Sequence, residues 1–412
     1  MSQPPEDDAA RRALVRLVRD SGRDVLATLA RTTGNFVLAE DAVQDAVLKA
    51  LEVWPSQGVP ANPLAWMRLT ARRRAVDLVR REIHRPGKEA AAVDRSFAWG
   101  EDEGGDSDSP TLQDDLLRLV FTCCHPSLAP ETQVALALRT LCGLDTAEVA
   151  RALLVPEATM SKRLTRARQK IRDARIPYRV PREDELEDRW AAVLATTYLL
   201  FNEGYAATTG AELVRRELVA EAARLARLLV RLRPEDPGAS GLLALILLQD
   251  ARRDTRTAAD GSAVLLADQD RLRWDSEAIR EGVSLVGRAL VRSPVRPDRY
   301  VVQAAIAACH ALAPSYDETD WTAIISWYDV LLTLDPGPVV RLNRAAAVAE
   351  RDGPEAGLAL VDGIAGLRDY ALWHASRGVL LRRLGRDSEA DSADAAALRL
   401  PLNDAQRSLL GS

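Results

Sequence analysis

Six cations, Lys162, Arg163, Arg166, Arg168, Lys170 and Arg172, crowd the end of one stretch, Leu144–Arg172, LDTAEVARALLVPEATMSKRLTRARQKIR. Thr146 can cap a first helix running to Leu153, Leu154-Val155-Pro156 makes a short turn, and Glu157 or Thr159 opens a second helix. Val149, Leu153, Val155, Met160, Leu164 and Ile171 are spaced to form a small core, which leaves Ser161 and the cations mostly outward. Such a hairpin suits duplex DNA: the second helix enters the major groove, with its first residues near base edges and its later cations on phosphates. The candidate contacts are Thr159, Ser161, Lys162, Arg163, Arg166 and Lys170. The alternative is a solvated amphipathic hairpin, but the basic bias is confined to one helix while the linker before it is acidic.

A second basic helix is expected over Trp66–Arg81, WMRLTARRRAVDLVRR, where Asp77 is the one acid among six arginines, Arg68, Arg72, Arg73, Arg74, Arg80 and Arg81. A tryptophan joined to such a helix suits single-stranded DNA, the ring as a stacking surface and the arginines against phosphate. Trp66 reads equally well as a core anchor. A third signal is acidic: Glu40, Asp41, Gln44 and Asp45 in AEDAVQDAVLKALEVW, with Ala42, Val43, Ala46, Val47 and Ala50 as the inner face. Asp41 and Asp45 lie one turn apart on an outer face. A DNA reader has no use for an exposed acidic stripe, whereas a basic protein partner does; the bland alternative is a favourable charge at a helix N-terminus.

The elements that position these groups are all helical. Ala, Leu and Arg dominate the 412 residues and aromatics are scarce, so the chain reads as all-α. Ala9 to about Arg81 is one helical block, with helices at about Ala39–Trp54, ended by Pro55, and from Pro63 to about Arg81. Gln113 to about Arg175 is a second block of four short helices. Between them, His84–Pro110 is acidic and rich in Gly and Ser, a flexible tether of roughly 30 Å relaxed and ~95 Å extended. From about Glu183 the chain is helical to its end, with breaks at Pro234–Ala239, Thr255–Gly261, Ser293–Pro297, Asp335–Pro338, Gly353–Pro354 and Gly366. Its helical hairpins are tetratricopeptide-like, best in the last pair, Tyr370–Leu384 and Asp387–Leu400.

Net charge is −5, so it is the distribution of charge, not the sum, that favours nucleic acid. Four cysteines make no disulfide framework, and the expected compartment is the reducing cytoplasm. No stretch reaches the ~18 apolar residues of a membrane span, so no membrane partner is expected; the longest apolar run, Gly241–Leu248, reads as a buried helix. Cys123-Cys124-His125 invites a metal reading, but neighbours on a helix point about 100° apart, and packing is preferred. No cofactor is expected, and no acid–base or nucleophile set supports an enzyme. Asn202-Glu203-Gly204-Tyr205 and Asp268-Gln269-Asp270 either cap and cross-link helices or line a groove for a peptide or small ligand. Trp274, Trp321, Trp327 and Trp373 read as core between helices.

In this order the three signals resemble the sigma-70-type transcription initiation factors, specifically the extracytoplasmic-function group. AEDAVQDAVLKALEVW resembles the helix that grips the clamp coiled coil of RNA polymerase β′, which implies polymerase binding by Asp41, Gln44 and Asp45. NPLAWMRLTARRRAVDLVRRE resembles the minus-ten recognition and melting helix, which implies promoter contacts by Trp66, Arg72, Arg73, Asp77 and Arg80. The helix-turn-helix resembles the minus-thirty-five reader, a domain that also implies a polymerase β-flap partner. Two promoter elements about two DNA turns apart lie on the order of 70 Å from each other, within the tether's extended reach.

LRLVFTCCHPSLAPETQVALALR, YLLFNEGY, DQDRLRW, TDW and LNRAAAVAE are similar to one subgroup with a long C-terminal extension. The implied organisation is sigma domain 2 at 10–83, a linker at 84–111, sigma domain 4 at 112–178 and a regulatory tetratricopeptide-like extension at 179–412. One departure stands out: the family's Ala-Arg-Asn-Arg has Arg73 in place of Asn. An amide pairs with adenine, whereas arginine prefers guanine or phosphate, so base choice at Arg73 does not carry over.

Overall fold

The computed structural model describes residues 5–83, 110–205 and 216–410, apart from 142, 154, 259–261, 294, 401, 403–406, 408 and 409. Residues 84–109 of the expected linker, with His84, and Cys142 lie outside the described residues, and the last linker positions already belong to a helix that opens at Pro110. Among the described residues the protein is all-α, with seventeen α-helices and a lone bridge between Thr257 and Ala263. Two compact units divide the chain, Met1–Thr196 and Thr197–Ser412, and the division falls inside one helix.

The first unit holds α1 (Pro5–Thr33), α2 (Phe36–Gln57), α3 (Pro63–Ile83), α4 (Pro110–Cys123), α5 (Pro130–Leu141), α6 (Thr146–Ala152), α7 (Glu157–Asp173) and the start of α8 (Glu183–Tyr205). The backbone of α2 explains the packing. Ala39, Ala42, Ala46, Ala50 and Trp54 recur at three- and four-residue spacing and are all buried, so α1 and α3 approach a face made of methyl groups. Asn35 starts the helix by accepting from the Leu38 amide at 3.1 Å. The expected end at Trp54 is one turn short. Pro55 sits in the last turn, and the helix runs on to Gln57 before the Gly58 amide closes on the Trp54 carbonyl.

In α3, Met67, Ala71 and Ala75 form the buried stripe. The helix-turn-helix is α6 and α7, whose core includes Val149, Met160, Leu164, Ala167 and Ile171. The cap of α6 differs from expectation. Asp145, not Thr146, accepts from the Glu148 amide at 2.7 Å, while Glu148 accepts from the Asp145 amide at 2.8 Å. This reciprocal box satisfies two helix-end donors at once, which a threonine one position later cannot do. Cys123 and Cys124 are buried, and the Cys124 thiol, pushed up to about 12 by burial, donates to the Thr196 hydroxyl at 3.3 Å. No group of three His, Cys, Asp or Glu is arranged to hold a metal among the described residues.

The second unit continues through α9 (Arg216–Leu232), α10 (Pro237–Asp250), three short 3-10 turns between Arg253 and Arg273, α11 (Ser276–Arg292), α12 (Arg299–Leu312), α13 (Trp321–Leu334), α14 (Pro338–Asp352), α15 (Pro354–Asp362), α16 (Ala371–Arg383) and α17 (Asp387–Leu398). Each helix packs on its chain neighbour, while α10 also packs on α12 and α14 on α16. Two of the cores lie along this stack, one around Ile306, Ile324, Leu331 and Val348, the other around Leu342, Leu358, Val361 and Leu381. Trp321, Trp327 and Trp373 pack against these cores, and Trp274 is buried. As the apolar run suggested, α10 is buried on every side from Gly238 to Leu248. Gly241 makes this possible, since a Cβ there would stand 2.5 Å from the Val301 amide nitrogen of α12. A further break, 313–320, separates α12 from α13 and carries no Gly to announce it.

Candidate nucleic-acid interface

The recognition helix α7 presents three faces. Met160, Leu164, Ala167 and Ile171 point into the core. Thr159, Lys162, Arg166 and Lys170 follow one another at three- and four-residue steps and are all exposed, forming a polar and cationic stripe that can lie along a phosphate backbone. Ser161 is exposed and Arg163 partly so. Arg168 and Arg172 take a third direction, onto α2.

On α3 the exposed stripe is Arg73, Asp77 and Arg80 at four- and three-residue steps, and Trp66 lies seven residues before Arg73 on the same line. Arg72 is partly buried. Trp66 is partly buried too, edge-on to Trp54 with ring centroids 5.4 Å apart, so its ring is held rigidly by the α2 core. Arg74 leaves the stripe to bond Asp45.

The acidic stripe of α2 is occupied. Arg168 donates to the Glu40 carboxylate, Arg172 lies 3.7 Å from Asp41, and Arg74 holds Asp45. Gln44 reaches Glu40 at 3.5 Å. Burial lifts the Glu40 carboxyl above its ordinary range, and the Arg168 charge opposes that lift without cancelling it. The second Glu40 oxygen has no hydrogen-bond partner. The outward cations expected at Arg168 and Arg172 therefore face carboxylates of the same unit, a relationship between residues more than a hundred positions apart with no signature in the local pattern.

Other ties brace this arrangement. Arg31 of α1 donates to Asp115 of α4 at 2.8 Å, and Arg118 adds a second bond at 2.6 Å. Burial raises the Asp115 carboxyl despite both arginines. The Tyr178 hydroxyl donates to the Asp115 carbonyl at 2.7 Å and lies 3.2 Å from the Ala27 carbonyl, pinning the segment after α7 across α1 and α4.

Sigma-70 region 2 matches residues 17–84, which contain α2 and α3, and sigma-70 region 4 matches residues 118–171, which contain α6 and all but the last two residues of α7. Regions 2 and 4 of the sigma-70 family are thus both matched in the chain, in their family order. A probable RNA polymerase sigma factor RfaY of Xanthomonas campestris is 29% identical over 158 residues, 38% of this chain and 39% of its own length. An uncharacterized protein of Rhizobium meliloti, R00370, is 43% identical over 380 residues, 92% of this chain and 89% of its own. A family of unknown function, DUF6596, matches residues 189–290. Regions 2 and 4 indicate a transcription initiation factor and imply interaction with core RNA polymerase and promoter DNA. No helix among the described residues is long and apolar enough to cross a membrane.

In the extension, the expected capping and cross-linking residues do bond locally. Asp270 caps a 3-10 turn by accepting from the Leu272 amide at 3.0 Å, and the buried Gln269 donates to the Val264 carbonyl at 3.0 Å. The Tyr205 hydroxyl donates to Gln249 at 2.8 Å. The arginines gathered around Tyr205 were not singled out from the sequence.

Proposed function

We propose that the protein is a cytoplasmic sigma factor of the extracytoplasmic-function group, with 10–83 acting as domain 2, 84–111 as a tether and 112–178 as domain 4. In this reading Asp41, Gln44 and Asp45 dock the β′ clamp coiled coil, and domain 4 meets the β flap. Trp66, Arg72, Arg73, Asp77 and Arg80 engage the minus-ten element and hold the melted strand. Thr159, Ser161, Lys162, Arg163, Arg166 and Lys170 grip the minus-thirty-five duplex. The factor itself changes no bond; the polymerase does the chemistry. The observation that supports this most is the pair of exposed cationic stripes, on α3 and α7, carried by the two matched sigma regions in their family order.

Residues 179–412 serve in this reading as a built-in, tetratricopeptide-like regulator, able to carry a peptide or small ligand. Its attachment and size support that role, as do helices that pack on their neighbours and, at two places, on the next helix but one. The test is run-off transcription from the chain's own upstream region with purified core polymerase. The truncated form should end after Tyr205, because Leu186, Trp190, Val193 and Leu194 of α8 are buried and Thr196 bonds Cys124. Initiation by the full chain, altered by truncation, is the expected result. DNA binding with no core-dependent initiation would instead indicate a plain helix-turn-helix regulator, and unchanged output after truncation would remove the regulatory role.

A further inference from the structure

Three guanidinium groups and an imidazole gather where the end of α8, the end of α10, the 3-10 turns and the end of α12 meet. Arg252 donates to the Tyr205 hydroxyl, to Gln249 at 3.3 Å and to Gln269 at 3.2 Å. Arg256, almost wholly buried, donates to the Tyr205 carbonyl and lies 3.6 Å over the Tyr205 ring. Arg271 donates through one amino group to the His310 and Ala313 carbonyls at the end of α12 and lies 4.7 Å over Trp274. His310 packs edge-on to Trp321.

Among the described residues, every hydrogen-bond acceptor these three arginines use is neutral. Three carboxylates among the described residues near the cluster are engaged elsewhere: Asp250 with Arg253 at 2.9 Å, Asp254 with Arg216 at 3.0 Å and Glu350 with Arg383 at 2.5 Å. Asp270 is spent on its cap, and the exposed Asp268 pairs with none of the three. Two nitrogens remain buried and without partners, Nη2 of Arg271 and Nδ1 of His310. The cations also disfavour one another. Burial, then Arg252 and Arg271, hold the His310 imidazole down at about 4, and burial and then Arg252 lower Arg256 and Arg271. Excess positive charge and an idle guanidinium donor out of water are costly, and an anion removes both costs, while its charge favours a proton on the unpartnered His310 nitrogen. Capping of α12 accounts for one amino group of Arg271 and leaves the other unexplained.

We propose that Arg252, Arg271 and His310, backed by Arg256, form a binding site for a small, multiply charged oxyanion, a phosphate or carboxylate group. Arg252, Arg271 and His310 are each partly exposed while Arg271 Nη2 and His310 Nδ1 are closed to solvent, so a ligand meets the exposed part of these side chains and engages the buried nitrogens as they turn outward. The site lies wholly in the unit Thr197–Ser412 and does not depend on the sigma reading.

The chain has only four histidines, so the ring protons of His310 are a local reporter, assigned by their loss in His310→Gln. Full-length protein is titrated with inorganic phosphate in one arm and citrate in the other, against sodium chloride at matched ionic strength. Binding gives a saturable shift of the His310 signal and lifts its apparent pKa by about one unit or more. Arg271→Gln abolishes the response, and Arg288→Gln, an exposed control on α11, leaves it intact. Should Arg271→Gln disturb the end of α12, Arg252→Gln, whose bonds are to side chains alone, gives the same reading. A response to phosphate alone assigns a phosphoryl ligand, and one to citrate alone a carboxylate. No saturable shift beyond chloride in either arm, or an equal shift in the arginine variants, overturns the proposal. The readout is binding at one residue, so its outcome is separate from that of the transcription assay.

Discussion

Arg168 of the recognition helix bonds Glu40 of the acidic helix, joining sigma region 4 to region 2 through a largely buried ion pair. Removing the cation leaves a desolvated carboxylate with one oxygen already unpartnered. Arg168→Ala should therefore lose about 2 kcal/mol, less than a fully buried pair because the arginine is partly exposed. Adding Glu40→Gln should restore most of it, as a double-mutant cycle in urea would read. The carboxyl is raised in the folded state, so its stabilising proton is present below the ordinary glutamate range and lost as pH rises through the raised value. The Arg168→Ala deficit should accordingly shrink toward pH 5 and grow toward pH 8.

Asp41 and Asp45 face Arg172 and Arg74 in exposed or half-exposed pairs, which contribute little to stability. Reversing both to Arg should leave helicity and the urea midpoint nearly unchanged while weakening core polymerase binding by at least about tenfold, worth some 1.4 kcal/mol. Undiminished retention of core in a pull-down at modest salt would remove this helix from the docking surface.

Lys162 and Arg166 lie on the exposed stripe of α7. If they neutralise phosphates, each alanine variant should lower the slope of log affinity against log salt by about one, for promoter and unrelated duplex alike. A loss confined to one promoter sequence would point to base contact instead.

His310 is held to about 4 by burial and then by Arg252 and Arg271, well below its unfolded value. The unfolded chain thus binds the proton first, and stability must fall as pH drops from about 6.5 toward 4, by roughly 3 kcal/mol for a group this buried. His310→Gln should flatten that part of the urea midpoint against pH profile. An unchanged profile would show that another group controls it.

Gly241 sits where α10 crosses α12. Gly241→Ala puts a methyl group against the Val301 backbone, which cannot move aside as a side chain tip can, so a cost of about 1–3 kcal/mol is expected despite the gain in helix propensity. Thermal unfolding of the full chain reads it directly.

The chain's local pattern by itself determined its helical class, the buried stripes of α2 and α7, the all-round burial of α10 and the cationic stripes of α3 and α7. All of these depend on residue type at three- and four-residue spacing, which a single helix expresses without help. Only the tertiary structure decided that Arg168 and Arg172 turn to Glu40 and Asp41, that Asp145 rather than Thr146 caps α6, and that Arg252, Arg256, Arg271 and His310 share one site. The cap depends on which backbone conformation precedes the helix. The other two are meetings of long side chains from distant elements, and such charges find their partners by through-space proximity, which sequence spacing does not encode.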